Sequence, residues 1–442
     1  MDYPRQATAA ALGRAIGAGD LDPVTLTETF LEAALTHPHR EDIYARLTEN
    51  RALSEAVAAR ARARAGTRRG PLDGVPISWK DLYDSAGTAT EGGSALLMGR
   101  VPDRDAEILR NATAAGLVCL GKTHLSELAF SGLGFNPRTG TPPNRNDPDA
   151  VPGGSSSGAA ASVAFGLAAA GIGSDTGGSI RLPAAWNDLV GFKPAHGALP
   201  MAGALPLCPK FDTAGPLARS VEDAALLFSA LSGRTAPDLK TARIDGMRLL
   251  LLETGAMEAL EAPVAHGFES AVSRLESAGA RIERRELPLV ARAAAQSATV
   301  FAAEAYGTWR ETIEADPDVM YHQVRTRFRA GGDVSAADYV AAWHVLDQAR
   351  HDYAAATAGF DAVILPTCPI LPPKRDRLEA DDDYYVERNL MTLRNTRIGN
   401  LLGLSGITLP TGTPSVGILF QGLAGNEARL LRLAHAAERV LT

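Results

Sequence analysis

Between positions 153 and 181 the chain reads GGSSSGAAASVAFGLAAAGIGSDTGGSIR, with 8 Gly and 6 Ser in 29 residues. That is about four times the ~7% glycine of an average chain. Glycine is needed where the backbone turns to positive φ or lies close against a ligand, and serine supplies a hydroxyl nucleophile. Two Gly-Gly-Ser triplets, at 153–155 and 177–179, bracket an Ala-rich run. Backbone N–H groups and hydroxyls at both ends of one helix are the parts of an oxyanion hole beside a nucleophile. Other glycine motifs fit less well. A phosphate cradle needs GxxxxGK[ST], and no Lys follows these glycines; Gly171, Gly173 and Gly177 miss the dinucleotide spacing GxGxxG by one residue. Positions 154–158 form GxSxG, but a nucleophile elbow leaves a strand directly, and the residues before it, 144–152, read as a polar loop.

A serine nucleophile needs a base. The 9 histidines form no HExxH or other ligand pair, and their positions favour core or surface roles. A lysine kept neutral by burial can take the place of histidine. Of 44 cationic residues only six are Lys, at 80, 122, 193, 210, 240 and 374, and the abundance of Arg is compositional. Lys80 follows the apolar run VPISW and is the best placed of the six; an ordinary ion pair with Asp81 or Asp84 is the other reading of the same position.

The rest of the chain supplies the frame. The first 66 residues read as helical, with Asp22 and Pro23 as N-cap and first helical residue. Beyond a Gly/Pro-rich connector, 75–79 reads as a buried strand, 105–115 as a helix, 117–120 as a strand and 125–130 as a helix. The uncharged run 158–173 reads as a buried helix, and another helix spans 179–189. Strands follow at 247–253, 361–366, 406–409 and 416–420, with a long helical region over 293–358. This alternation predicts an α/β architecture, a sheet covered on both faces by helices in one large domain. Apolar content of 45% and a net charge of -7 exclude intrinsic disorder and argue against a nucleic-acid partner. Cys119, Cys208 and Cys368 are odd in number and far apart, which predicts a reduced, cytoplasmic protein without a metal site. No stretch reaches the ~20 apolar residues of a membrane span.

Taken together, these segments resemble the amidase signature family over nearly the whole chain. GGSSSG at 153–158 and GSDTGGSIRLPAA at 173–185 are similar to its central signature, PLDGVPISWKDLYD at 71–84 to its lysine strand, and FDAVILPTCP at 360–369 to its late strand. The resemblance implies one domain over 1–442 built on a central mixed sheet, with a helical segment at 1–66, a catalytic core at 71–200 and a helical substrate-pocket region at 290–358. It also implies Ser179 as nucleophile, Ser155 after a cis peptide from Gly154 as bridging serine, and Lys80 as base. The oxyanion donors are then the N–H groups of Thr176, Gly177, Gly178 and Ser179. Ser156, hydrogen-bonded within the Gly-rich loop, Asp175 and Arg181 would support the site, and Phe130 and Ser131 would face substrate. The implied activity is hydrolysis of a C–N bond in a small or medium amide, with carbamates or urea-like compounds as variants, through an acyl-enzyme and without a cofactor. The alternative is the glutaminase subunit of a tRNA-dependent amidotransferase. The partner expected is a small-molecule amide, with no direct nucleic-acid or membrane contact; a homodimer is left open. Two segments depart from the family pattern. Ser405-Gly406 stands where Pro is usual, and GFKPAHG at 191–197 replaces the commoner Gly-Leu-Lys-Pro-Thr, so no subgroup is assigned.

Overall fold

The computed structural model describes residues 5–441; positions 1–4, at the head of the segment read as helical, and 442 lie outside the described residues. Eleven strands form one sheet: β1 (Tyr44–Leu47), β2 (Pro76–Lys80), β3 (Val118–Thr123), β4 (Ala170–Asp175), β5 (Val190–Lys193), β6 (Thr213–Ala218), β7 (Arg248–Leu252), β8 (Arg281–Arg285), β9 (Ala362–Pro366), β10 (Ser405–Pro410) and β11 (Gly417–Gly422). Their spatial order is β1-β3-β2-β4-β6-β5-β10-β11-β9-β7-β8. The β3-β2-β4 and β9-β7-β8 neighbours are parallel and the other pairs antiparallel, so the sheet is mixed. Every residue of β2, β3, β4, β5, β6 and β9 is buried, as in strands covered on both faces; β5 and β6 were not read as strands from the sequence.

Several expectations hold with small shifts in boundary. Asp22 caps Pro23–Thr36 by accepting from the Val24 N–H at 2.8 Å, and 144–152 lies in a loop. Others are corrected. The uncharged run at 158–173 is not one helix: the helix Ser157–Ala164 stops where Gly166 turns to φ +71°, and the chain re-enters the sheet as β4. A short apolar run cannot be assigned to helix or strand by periodicity alone, and Ala favours the helical reading. The first 66 residues contain β1, whose four residues are too few to show a period and which exists through pairing with β3. The helix expected at 125–130 is a single 3₁₀ turn, Glu127–Ala129, with Leu128 at φ 46°. The helix expected at 179–189 spans Arg181–Trp186.

Among the described residues no helix is long and apolar enough to cross a membrane.

Candidate active site

Parallel strands β2 and β4 lie side by side, with Trp79 opposite Ile172. In open α/β sheets the carboxyl ends of parallel strands are where ligands bind. The last residue of β2 is Lys80, which is fully buried. Its Nζ donates to Ser155 Oγ at 2.7 Å and to Ser174 Oγ, on β4, at 2.8 Å. Among the described residues no carboxylate forms an ion pair with it. The neighbouring Asp81 is paired with Lys122 at 3.0 Å and with Arg46 at 3.0 Å, while Asp84 pairs with Arg100. Burial therefore lowers Lys80 to about 7, although Asp175 and Asp212 pull in the opposite direction. An amine in this state exchanges its proton near neutral pH.

The Gly-Ser segment after 152 delivers Ser155 to this amine. The Gly154-Ser155 peptide is cis, as the resemblance implies. Ser156 does not bond within its own loop. Its hydroxyl donates to Ser174 O at 3.2 Å and accepts from Ser174 N–H at 3.3 Å, so it ties the loop to β4. The Ser156 N–H donates to Ser179 O at 3.3 Å, which joins the two Gly-Ser loops. The hydroxyl of Ser179 makes no hydrogen bond to another described residue.

Residues 175–181 are shaped by one carboxylate. Asp175, fully buried at the end of β4, accepts from the N–H groups of Gly178 at 2.8 Å and Ile180 at 3.1 Å, and from Arg181 Nε at 3.0 Å and Nη2 at 2.9 Å. Burial alone would raise this carboxyl; the Arg181 guanidinium and the Asn400 amide override it and hold it at about 2. Arg181 is itself fully buried and also donates to Thr396 O at 2.8 Å and Asn400 Oδ1 at 2.5 Å. Such a buried pair is expensive to desolvate and endures only when its remaining donors and acceptors are satisfied. Here they are. The Gly178 N–H, expected as an oxyanion donor, is thus already donated to Asp175. Gly178 itself sits at φ +140°, and a Cβ there would lie 2.0 Å from Thr396 Oγ1. Thr176 donates to Asp212 Oδ1 at 2.5 Å.

A narrow cavity opens over this loop, lined by Thr176, Gly177 and Ser179 on one side and by Phe130 and Ser131 on another. Leu207, Phe301 and Leu393 form apolar walls, and Arg327 and Arg397 complete the lining. Larger clefts elsewhere touch none of Lys80, Ser155 and Ser179. Ser131 is held in place by Tyr385 OH at 3.1 Å, and it donates to Asn389 Oδ1 at 3.1 Å. Among the described residues no group of three or more His, Cys, Asp or Glu is placed to hold a metal ion.

Residues 25–431 match the family model described as Amidase. The chain belongs to the amidase family. It is 32% identical to 2-amino-5-chloromuconic acid deaminase of Comamonas testosteroni over 436 residues, covering 96% of this chain and 93% of that protein. It is 33% identical to a glutamyl-tRNA(Gln) amidotransferase subunit of Halorhodospira halophila over 475 aligned positions, covering 98% and 97%. A crystal structure of an amidase superposes with a TM-score of 0.88 at 31% identity, covering 99% of this chain and all of that one. This amidase is therefore a hydrolase of C–N bonds other than peptide bonds, built on the mixed α/β sheet of its family.

The geometry also recruits residues that sequence reading passed over. Asp212, Thr396 and Asn400 hold the loops from positions distant in the chain, and no local pattern marks them; Ser174 lies inside the Gly-Ser segment itself. Arg327 and Arg397 reach the cavity from helices His322–Arg329 and Arg394–Leu401. The place of Arg327 in the helical region 293–358 was readable, whereas the helix that carries Arg397 was not assigned.

Proposed function

We propose that this amidase cleaves a small amide, or a carbamate or urea-like relative of one, through an acyl-enzyme on Ser179. The observation that carries the reading is the buried Lys80 bonded to Ser155, held near neutrality beside the loop that presents Ser179 to a cavity. Ser179 passes its hydroxyl proton to Ser155 as Ser155 passes its own to the Lys80 lone pair. Ser179 Oγ then attacks the carbonyl carbon. The Ser155 and Ser179 hydroxyls are not hydrogen-bonded to each other in the free enzyme; such contacts commonly tighten only once substrate is bound. The N–H groups of Gly177 and Ser179, with Thr176 beside them, serve the developing oxyanion, and Asp175 keeps Gly178 turned to shape that hole. Collapse of the tetrahedral adduct breaks the C–N bond, and the proton held on Lys80 returns through Ser155 to the leaving nitrogen. Water then attacks the acyl-enzyme by the same relay. One relative is a deaminase and another belongs to an amidotransferase, and both names describe chemistry at a C–N bond.

A second reading rests on the identity to the amidotransferase subunit, which matches nearly end to end. In it the chain is a glutaminase that works only with partner subunits. The purified chain alone decides between them. Release of ammonia or an amine from simple amides, lost in Ser179→Ala together with fluorophosphonate labelling, is expected. Labelling that persists at another serine would sink the assignment of Ser179, and activity that appears only with added partner subunits would favour the second reading. The three cysteines, all buried and unpaired, support a cytoplasmic location.

A further inference from the structure

Two guanidinium groups share the cavity with Ser179, and neither has a counter-ion among the described residues. Arg327 donates from Nη1 to Phe130 O at 2.9 Å and lies 4.2 Å from the centre of the Phe130 ring. Arg397 donates from Nη1 to Ser297 Oγ at 3.0 Å, and its buried Nη2 has no hydrogen-bond partner. No described Asp or Glu forms an ion pair with either group. The contrast is Arg181, a few residues from Ser179, whose charge is met by Asp175 and whose remaining donors are taken by Thr396 and Asn400. Arg327 and Arg397 differ from it in facing the cavity with no carboxylate beside them, and Arg397 keeps a donor unused.

Like charges held together beside the apolar walls of Leu207, Phe301 and Leu393 carry an energetic cost, because a desolvated charge without a partner is unfavourable. Burial and the field of Arg327 lower Arg397 accordingly, to about 9. An anion relieves both. A guanidinium presents planar, paired donors that match a carboxylate in two-point contact. We infer that the substrate of this amidase is a small amide carrying a carboxylate, which Arg327 and Arg397 hold while its carbonyl carbon faces Ser179. This inference rests on the proposed reading of Ser179 as nucleophile.

Matched pairs of equal length test it: succinamate against butyramide, and glutaramate against valeramide. Wild-type kcat/KM should favour the anionic member by at least roughly tenfold, since a hydrogen bond to a charged group corresponds to about a 10- to 100-fold effect. In Arg327→Gln and Arg397→Gln that preference should fall by a similar factor, mainly through KM. Succinate or glutarate titrated calorimetrically into Ser179→Ala should bind, and binding should weaken when Arg397→Gln is added. That titration needs no turnover, so it separates the two claims. If neither member of a pair is hydrolysed but glutarate binds in an arginine-dependent way, the anion site stands and the amidase substrate reading falls. If neutral amides are cleaved as well as their anionic partners, or the dicarboxylates bind no better than the neutral amides, the inference is overturned and the nucleophile assignment is untouched.

Discussion

Replacing Lys80 by Met should make the protein more stable at neutral pH while destroying its activity. Lys80 falls from the ordinary 10.5 to about 7 because burial disfavours its charged form. At ~1.4 kcal/mol per pH unit, that displacement is a folding penalty of about 5 kcal/mol at low pH. Between pH 7 and 10.5 the unfolded chain binds more protons at this residue than the folded one, so the penalty shrinks as pH rises through that window. It is still about 4 kcal/mol at pH 7 and about 1.4 kcal/mol at pH 9.5. Methionine fills much of the same volume without the charge, but the hydroxyls of Ser155 and Ser174 lose their partner. That loss costs about 2 kcal/mol for the two bonds together. The net expectation is a gain of about 2 kcal/mol at pH 7 that changes sign near pH 9. For a chain of 442 residues, unfolding entropy makes each kcal/mol about 1 °C in Tm. Scanning calorimetry of both proteins from pH 7 to 9.5 should therefore show Lys80→Met melting about 2 °C higher at the start and no higher at the end. A gap that does not move with pH, or a variant already less stable at pH 7, would mean that Lys80 is charged in the folded protein, and the base assigned here would be wrong.

As the proposed base, the same residue should set the rate. kcat/KM should rise with pH through an apparent pKa near the about 7 of Lys80, and Lys80→Arg should lose roughly 10²- to 10⁴-fold because a guanidinium cannot accept the proton. A pH–rate profile for Lys80→Arg with less than a tenfold loss would point to another base. Asp175→Asn removes the charge facing a fully buried Arg181 and weakens its hold on the Gly178 and Ile180 N–H groups. It should cost about 3–5 kcal/mol, a drop of about 3–5 °C in Tm, and lower kcat with it. An unchanged melting point with full activity would show that the pair does not shape the loop.

How much was readable in advance depended on whether a role was local. Lys80 stood out because a single cation closes an apolar strand, and the strand reading needed only its immediate neighbours. Ser155 and Ser179 were visible as members of a glycine-dense segment. β4 was hidden inside the same segment, because Ala and Gly in a row satisfy a buried helix and a buried strand equally well until neighbouring strands decide. β1 and β8 exist through pairing with distant segments. Arg327 and Arg397 were lost among 38 arginines of the 44 cationic residues, and only the folded chain separates these two from those that meet a carboxylate.

Arg181 is clasped by Thr396 O and Asn400 Oδ1, groups 215 and 219 residues further along the chain, and Thr396 Oγ1 also donates to Gly177 O at 2.8 Å. The reactive turn is therefore braced from its own last quarter. A piece of this protein that kept positions 71–200 would retain every group assigned to the proton relay and lack the buttress that keeps the turn in shape. If Ser179 is the nucleophile, as proposed, removal of the segment after 390 should abolish activity even though every group of the proposed relay is kept. New specificity has to arise by altering what surrounds the turn and not by transplanting it.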